Sequence, residues 1–419
     1  MPAGFKVMTS QPDSPYAAIF REYIQRGAQA TLDAVQTAGP ALPPEQQEQG
    51  LHTLDFALNL PDAWREARAL LLALAPKVEQ AGLRRGWLPF LQRGIERCEA
   101  TGDAAGQAEM EIHLGMLVFV MGRMDEARAL FQASAGRCQA LGDAAGQARA
   151  LNRLAYLDRI QQRSQSAAQL VQQALDLLAP DDVEQSFSHY VLGGLAIDRR
   201  DWPEALSHLH AALDGWQRRG DPVMVARSLT NLGMAQRGAG QHQEAIASYT
   251  EAIAIMAEMG DPVNEAVTRM NLGNVYWATG QPQTALEHYL LAEPIFRRTD
   301  DQLRLARVNT TMGIVCTELG RWEQAHAALT TAIDLNRLVG DPRSTANALD
   351  ALGELYLAQG QPAAALAVLE QALEVLAGLR DQPDFAARFS DIDGDILRHL
   401  EEARRGDGAQ AGLHPVAAV

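Results

Sequence analysis

The chain has 419 residues and a formal net charge of −16, with 47% apolar, 21% charged and only 6% aromatic residues. Such an excess of acidic residues disfavours binding to nucleic acid or to an anionic membrane, because both repel a negatively charged protein. Three cysteines are too few for a disulfide framework in a chain of this length.

No segment approaches the ~18 uninterrupted apolar residues that would suggest a membrane-spanning helix. The opening segment MPAGFKVMTS also lacks the apolar core of a signal peptide. We therefore expect a cytoplasmic protein with reduced thiols. Alanine and leucine recur along the chain and no long β-branched run is present, so the sequence predicts helices.

The N-terminal region, residues 1–61, is predicted to form a helical cap. Residues 15–38 carry a helical apolar pattern formed by Tyr16, Ile19, Phe20, Tyr23 and Ile24. The segment GPALPPEQQEQG that follows at 39–50 is predicted to break this helix.

A period of forty residues dominates the middle of the chain. Gly-Asp pairs recur at 102–103, 142–143, 220–221, 260–261 and 340–341. Leu-Gly pairs recur at 114–115, 192–193, 232–233, 272–273 and 352–353. In most repeats a second glycine and two alanines follow at fixed distances. Small residues at these places predict closely packed helix pairs repeated in tandem.

The tripeptide at Arg219-Gly220-Asp221 allows two interpretations, a cell-adhesion ligand or a helix boundary. Because Gly-Asp-Pro returns in register at 260–262 and 340–342, we favour the boundary. Glycine would end one helix, aspartate would cap the next, and proline would occupy its first turn. The second copy, Arg405-Gly406-Asp407, is likewise predicted to be a helix end.

The repeated skeleton resembles the tetratricopeptide repeat, best seen in NLGNVYWATGQPQTALEHYLLA at 271–292. The resemblance covers 104–383 as seven repeats, with an eighth, weaker one in 62–103, so that the solenoid is predicted to span 62–383. The proline that often closes the second helix is missing, as in the forty-residue, long-helix variety of the family. The resemblance implies an all-α, right-handed α-solenoid (superhelix) of helix-turn-helix repeats that binds proteins or peptides.

The C-terminal end is predicted to hold a capping helix at 384–404 and a disordered tail at 405–419. Phe385, Phe389, Ile392, Ile396 and Leu400 form one apolar stripe over a polar face. A helix of this kind would cover the exposed end of the last repeat.

The family's concave groove, carried over by register from each Leu-Gly pair, predicts a peptide-binding surface on the first helix of each repeat. Its predicted residues are Arg149, Asn152, Arg153, Tyr156, Arg159, Tyr190, Arg227, Asn231, Arg237, Asn271, Asn274, Trp277 and Arg307. Arginine forks bind carboxylates, asparagine amides bind peptide groups and aromatic rings supply apolar anchors. The predicted partner is a short acidic peptide or an acidic helix. The alternatives are that these arginines form a solvated face paired with glutamates, and that Trp277 belongs to the core.

No motif of an enzyme is present, so the sequence predicts neither catalytic residues nor a cofactor. His208 and His210 are two apart on a helix and cannot chelate one metal ion. Asp391, Asp393 and Asp395 lack the last acidic ligand of a calcium loop. Cys98 and Cys138 are expected to be packed core residues.

Three hypotheses about function remain open from the sequence. The leading one is a scaffold or adaptor that binds a protein segment in its groove. The second is a ligand- or peptide-sensing regulatory module of a bacterial signalling or transcription system, in which binding moves the solenoid. The third is self-association into a homo-oligomer through the convex faces or the caps.

Overall fold

A computed structural model describes residues 15–38, 42–80, 84–380 and 385–406 of the chain. Within these ranges the regular structure is helical, with one short 3₁₀ helix at Pro61–Ala63 and no strand. The N-terminal helices are α1 (Pro15–Thr37), α2 (Pro44–Leu58), α3 (Trp64–Gln80) and α4 (Arg84–Thr101). Seven helical hairpins follow, each with a first helix (A) and a second helix (B).

The A helices are α5 (Ala104–Val120), α7 (Ala144–Ile160), α9 (Glu184–Asp198), α11 (Pro222–Gly238), α13 (Pro262–Ala278), α15 (Gln302–Glu318) and α17 (Pro342–Ala358). The B helices are α6 (Met124–Leu141), α8 (Ser164–Leu177), α10 (Trp202–Arg219), α12 (His242–Met259), α14 (Pro282–Arg298), α16 (Trp322–Val339) and α18 (Pro362–Ala377). The chain's described part ends with α19 (Phe385–Arg405). The predicted all-α fold of tandem helix-turn-helix repeats is confirmed.

The chain divides into two compact units. The first comprises Met1–Leu232 with Glu258–Asp261, and the second comprises Gly233–Ala257 with Pro262–Val419. Each unit has its own apolar core, built from the facing sides of its helices. The shortened helices α8 and α9, of 14 and 15 residues, account for the irregular spacing near Pro180.

The Gly-Asp pairs are helix boundaries, as predicted. Gly220 ends α10 in the left-handed conformation with φ 68°. The Asp221 carboxylate then accepts a hydrogen bond of 3.1 Å from the backbone N–H of Met224 in the first turn of α11. At the other copy, α19 ends at Arg405 and Gly406 has φ 71°, while the aspartate that follows lies outside the described residues.

The glycine of each Leu-Gly pair lies under a large side chain of the B helix. A Cβ added at Gly273 would meet the Tyr289 ring at 2.5 Å, and one added at Gly233 would meet the Tyr249 ring at 2.7 Å. The repeated alanines are completely buried. Both observations confirm that small residues let the helices of a hairpin approach closely.

The ends of the chain depart from the sequence pattern in two ways. In α1, Ile24 of the apolar pattern is buried, whereas Ile19 and Tyr23 are 64% and 72% exposed. Helix α1 ends at Thr37, so the predicted break is present, and the next helix, α2, begins at Pro44 within the segment 39–50. In the apolar stripe of α19, which contacts α17 and α18, Phe385 is half-buried and the other four residues are buried. Residues 407–419 of the predicted tail lie outside the described residues.

Candidate functional site

The predicted peptide-binding residues lie on A helices and are divided between the two units. The first unit holds Arg149, Asn152, Arg153, Tyr156 and Arg159 on α7, Tyr190 on α9, and Arg227 and Asn231 on α11. The second unit holds Arg237, Asn271, Asn274, Trp277 and Arg307. Each group forms a different environment.

Four aromatic rings meet on three A helices of the first unit. The ring centroids of Phe119 and Tyr156 are 5.5 Å apart, and Tyr156 lies 6.2 Å from both Phe187 and Tyr190. Phe187 and Tyr190 are themselves 5.7 Å apart. Aromatic pairs at these distances stabilise one another beyond the area they bury.

Two arginines of α7 pair with carboxylates of α9, and one of them packs against these rings. The guanidinium of Arg153 lies 3.6 Å from the centroid of the Phe187 ring and donates to Glu184 at 2.8 Å. Arg159 binds Asp198 through two hydrogen bonds of 2.7 and 3.1 Å. These arginines therefore join neighbouring repeats, because each bridges one A helix to the next.

Asn152 is completely buried and has a similar bridging role. Its amide nitrogen donates to Ser188 at 2.9 Å and to Glu184 at 3.2 Å. An amide with these partners holds α7 against α9. The structure thus places Asn152 inside the contact between repeats.

Arg149 and Arg227 differ from the two bridging arginines. Among the described residues, no carboxylate lies within 4 Å of either guanidinium. Arg227 is exposed and Arg149 is half-buried. Burial lowers the pKa of Arg153, Glu184 opposes this, and the positive charges of Arg149 and Arg227 lower the pKa further. The two unpaired arginines therefore lie close to the aromatic rings.

Tyr190 and Asn231 complete this surface. Burial and the neighbouring Tyr156 raise the pKa of Tyr190 to about 12, although Arg227 and Arg159 act in the opposite direction. The amide nitrogen of Asn231 is buried beside the Tyr190 hydroxyl, and this contact also lowers the pKa of Tyr190.

We call this set the aromatic–arginine surface and define it by Phe119, Tyr156, Phe187, Tyr190, Arg149, Arg153, Arg159, Arg227 and Asn231. Sequence reasoning omitted Phe119 because it carried the register only from the second full repeat onward. Arg159 lies five residues after Leu154, and Phe119 lies five residues after Leu114 at the equivalent position of the preceding repeat. The same register therefore identifies Phe119. The same register gives His113 the position that Arg153 has in the next repeat, and burial lowers the pKa of His113 to about 4.

The predicted residues of the second unit are mostly engaged within the unit. The indole N–H of Trp277 donates to Glu318 at 2.8 Å, and the side chain is only 8% exposed. The amide oxygen of Asn274 accepts from the hydroxyl of the fully buried Tyr289 at 2.8 Å. Asn271 is half-buried and Arg307 is exposed.

Three other features of the sequence have structural partners. Asp391, Asp393 and Asp395 accept hydrogen bonds from Arg343, Arg380 and Arg398, respectively. Cys98 and Cys138 are buried, and burial raises the pKa of the Cys98 thiol to about 12. No helix in the described ranges is long and apolar enough to cross a membrane.

Comparison with known proteins identifies the repeats. The family model described as tetratricopeptide repeat matches residues 106–179, 185–258, 264–338 and 304–377. No curated protein matches the sequence.

Several solved structures are similar to this chain over much of its length. A Rap protein complexed with Competence and Sporulation Factor is 14% identical, with a TM-score of 0.52 over 85% of this chain and 98% of that chain. The STAND protein PH0952 from Pyrococcus horikoshii, which has a tetratricopeptide repeat sensor, is 16% identical, with a TM-score of 0.54 over 85% of this chain and 55% of that chain. BtubC (BKLC) from P. vanneervenii is 23% identical, with a TM-score of 0.44 over 57% of this chain and 91% of that chain.

Proposed function

The chain belongs to the tetratricopeptide repeat family, and from that premise we propose that it is a non-enzymatic scaffold or adaptor that binds an acidic protein segment. The proposed binding site is the aromatic–arginine surface of the first unit. Repeat proteins of this kind present extended surfaces to their partners. The three buried free cysteines suit the cytoplasmic compartment that the proposal assumes.

The unpaired charges of Arg149 and Arg227 carry the proposal. Arg153 and Arg159 already have carboxylate partners within the unit, so their guanidinium groups are held in place and are not available to a ligand's carboxylate. Arg149 and Arg227 have no such partner among the described residues, and both act on Arg153 through their charge. A carboxylate that bound between them would gain charge-assisted hydrogen bonds and relieve the repulsion among the arginines.

The aromatic rings define what else the segment should contain. The half-buried rings of Phe119 and Tyr156 favour contact with an apolar or aromatic side chain, which would add buried area to the charge contacts. The expected ligand is therefore an extended segment with acidic residues beside an aromatic or aliphatic one.

The net charge of −16 makes this surface selective. An acidic ligand is repelled by most of the molecule and attracted at the arginines, which fixes where it binds. Because the attraction is electrostatic, binding should weaken as the salt concentration rises.

A displayed library of random peptides, selected on the full chain, tests the proposal. We expect enrichment of acidic residues next to an aromatic or aliphatic residue. Affinity for the selected peptides should fall roughly tenfold or more in the double variant Arg149→Glu/Arg227→Glu. The matched control is Arg65→Glu/Arg218→Glu, which makes the same charge change at exposed positions of α3 and α10. Peptides without acidic residues, or binding that both double variants retain equally, would refute the site.

A second candidate is a ligand- or peptide-sensing regulatory module of a signalling or transcription system. It is favoured by the fold shared with the Rap protein complexed with Competence and Sporulation Factor and with the sensor-containing STAND protein. Hydrogen exchange with a selected peptide separates the two candidates. A scaffold should show protection within the first unit alone, whereas a sensor should also change exchange in the second unit.

A further inference from the structure

Two histidines of one hairpin face each other with their Nδ1 atoms 3.0 Å apart. His189 lies on α9 and His208 on α10, and their ring centroids are 5.2 Å apart at an angle of 31°. Neither residue belongs to the aromatic–arginine surface. At this distance, one Nδ1 must donate its proton to the lone pair of the other, because two protonated nitrogens or two lone pairs would repel.

Both imidazoles are half-buried in this hairpin. Neutral imidazole is the form that binds metal ions.

We propose that His189 and His208 form a two-histidine site for a divalent late transition-metal ion, Cu²⁺ or Ni²⁺ in preference to Zn²⁺. Two nitrogens bound at ~2.0–2.1 Å to one ion lie ~3.0 Å apart when the angle at the metal is near 90°, and ~3.4 Å apart when it is tetrahedral. The observed 3.0 Å between the Nδ1 atoms fits the first case. Angles near 90° suit tetragonal Cu²⁺ or Ni²⁺, whereas Zn²⁺ prefers a tetrahedral arrangement.

Water would occupy the remaining coordination positions. In the part of the chain that the structure describes, no group of three or more His, Cys, Asp or Glu side chains could hold a metal ion. His210, the nearest other histidine in sequence, is exposed, and its Nδ1 contacts the carbonyl oxygen of Leu206 at 2.8 Å. The site therefore consists of two protein ligands.

Glu204 is positioned to support His208 from the opposite side of the ring. Its Oε1 lies 3.9 Å from Nε2 of His208, and its Oε2 accepts from Arg199 at 2.7 Å. When the metal takes both Nδ1 atoms, the proton shared between them moves through solvent to an Nε2 atom, and each ring remains neutral. The carboxylate then favours the tautomer of His208 with its proton on Nε2.

Calorimetric titration of the tag-free full chain with NiCl₂ and with ZnCl₂, in a non-chelating buffer at neutral pH, tests the site. We expect one Ni²⁺ per chain, bound more tightly than Zn²⁺. Loss of a group that hydrogen-bonds to a metal ligand weakens metal binding roughly 10–100-fold. Loss of a histidine ligand itself should therefore weaken binding by at least this factor. His189→Gln and His208→Gln should each show this loss, and His210→Gln should bind as the wild type does. Equal binding by all three variants, tighter binding of Zn²⁺ than of Ni²⁺, or no binding by the wild type would overturn the proposal.

A second measurement needs no variant and therefore does not depend on whether a variant folds. Substoichiometric Cu²⁺ broadens the NMR signals of nearby imidazoles in wild-type protein labelled at histidine. The two resonances of His189 and His208, identified by their mutual contact, should broaden before those of the other eight of the chain's 10 histidines. Earlier broadening of any other histidine would place the ion elsewhere.

Discussion

His399 of the last helix donates a hydrogen bond of 2.7 Å from Nδ1 to the buried carboxylate of Asp350 on α17. Its Nε2 lies 3.0 Å from Glu354 one turn further along α17. The imidazole is 2% exposed and therefore sits as a cation between two carboxylates. This contact fastens α19 to the last hairpin.

The pair predicts a pH dependence of stability. Burial by itself lowers the pKa of His399, but hydrogen bonds to Asp350 and Glu354 and their negative charges outweigh burial and raise the pKa to about 10. In the unfolded chain it is ~6.5. Between these values the folded protein holds a proton that the unfolded chain has released. The stabilisation is therefore complete below pH ~6.5 and is lost as pH rises toward 10.

His399→Gln measures this contribution. Removing one partner of a buried ion pair costs roughly 3–5 kcal/mol, so the variant should have a lower free energy of unfolding than the wild type at neutral pH. The difference should shrink at higher pH. Urea unfolding followed by circular dichroism at pH 6, 8 and 10 gives the comparison, and a difference that stays constant or grows with pH would contradict the assignment.

Residues with a left-handed backbone conformation lie between the helices of a hairpin. Substitutions at two of them should change the free energy of unfolding in opposite directions. Gly240 has φ 76°, and at the corresponding place of an earlier hairpin Gln162 has φ 60°. Gly240→Ala should lower the free energy of unfolding by about 1 kcal/mol, since a Cβ is unfavourable in this conformation. Gln162→Gly should raise it by about 0.5 kcal/mol, because relief of strain is partly offset by glycine's freedom in the unfolded chain. Thermal melting reports both, and shifts of the same sign would disprove the explanation.

The close contact between Gly194 and Arg159 predicts that a larger residue at position 194 would destabilise the protein. A Cβ at Gly194 would lie 2.5 Å from Cζ of Arg159, whose guanidinium packs flat on this backbone. Gly194→Ala should push the guanidinium away from Asp198 and destabilise the first unit by about 1–2 kcal/mol. Gly136→Ala is the control, because no atom lies within 4 Å of its added Cβ, and it should stabilise α6 by about 0.5–1 kcal/mol. Urea midpoints that are equal for the two variants would contradict the close packing.

Trp277 predicts a loss of stability if it is truncated. Its indole is nearly buried and donates to Glu318, so Trp277→Ala should cost about 3–5 kcal/mol through the cavity it leaves. Asn271→Ala on the same helix should change stability by about 0.5 kcal/mol or less. Thermal melting of the two variants beside the wild type measures the difference. A Trp277→Ala protein that melts as the wild type does would indicate that Trp277 is an exposed residue of the binding surface rather than part of the core.

Local chemistry made much of the fold predictable from the sequence. Glycine, aspartate and proline at each boundary dictate where one helix ends and the next begins, and Gly220 and Asp221 behave as their types require. Helices α1 and α2 were harder to delimit. Pro44 begins α2 because a proline in the first turn needs no amide partner, so the same residue type that suggested a break also starts a helix.

The candidate site was only partly predictable, because register tells which face a residue occupies and not which atoms it meets. Arg149 and Arg153 are four apart on one face of α7, yet only Arg153 reaches Glu184 of the next repeat. Asn152 is adjacent in sequence and is completely buried. The difference depends on where α9 packs, which the local sequence of α7 does not encode.

The sequence by itself determined the all-α repeat, its hairpin boundaries and its small packing residues, because each follows from the conformational preference of a single residue type in a fixed register. Only the tertiary structure decided which charges are neutralised and which remain available. Ion pairs such as Arg159 with Asp198, and His399 with Asp350, join residues 39 and 49 positions apart. Their formation depends on distances of a few ångströms between side chains of different helices, which hairpin packing alone sets.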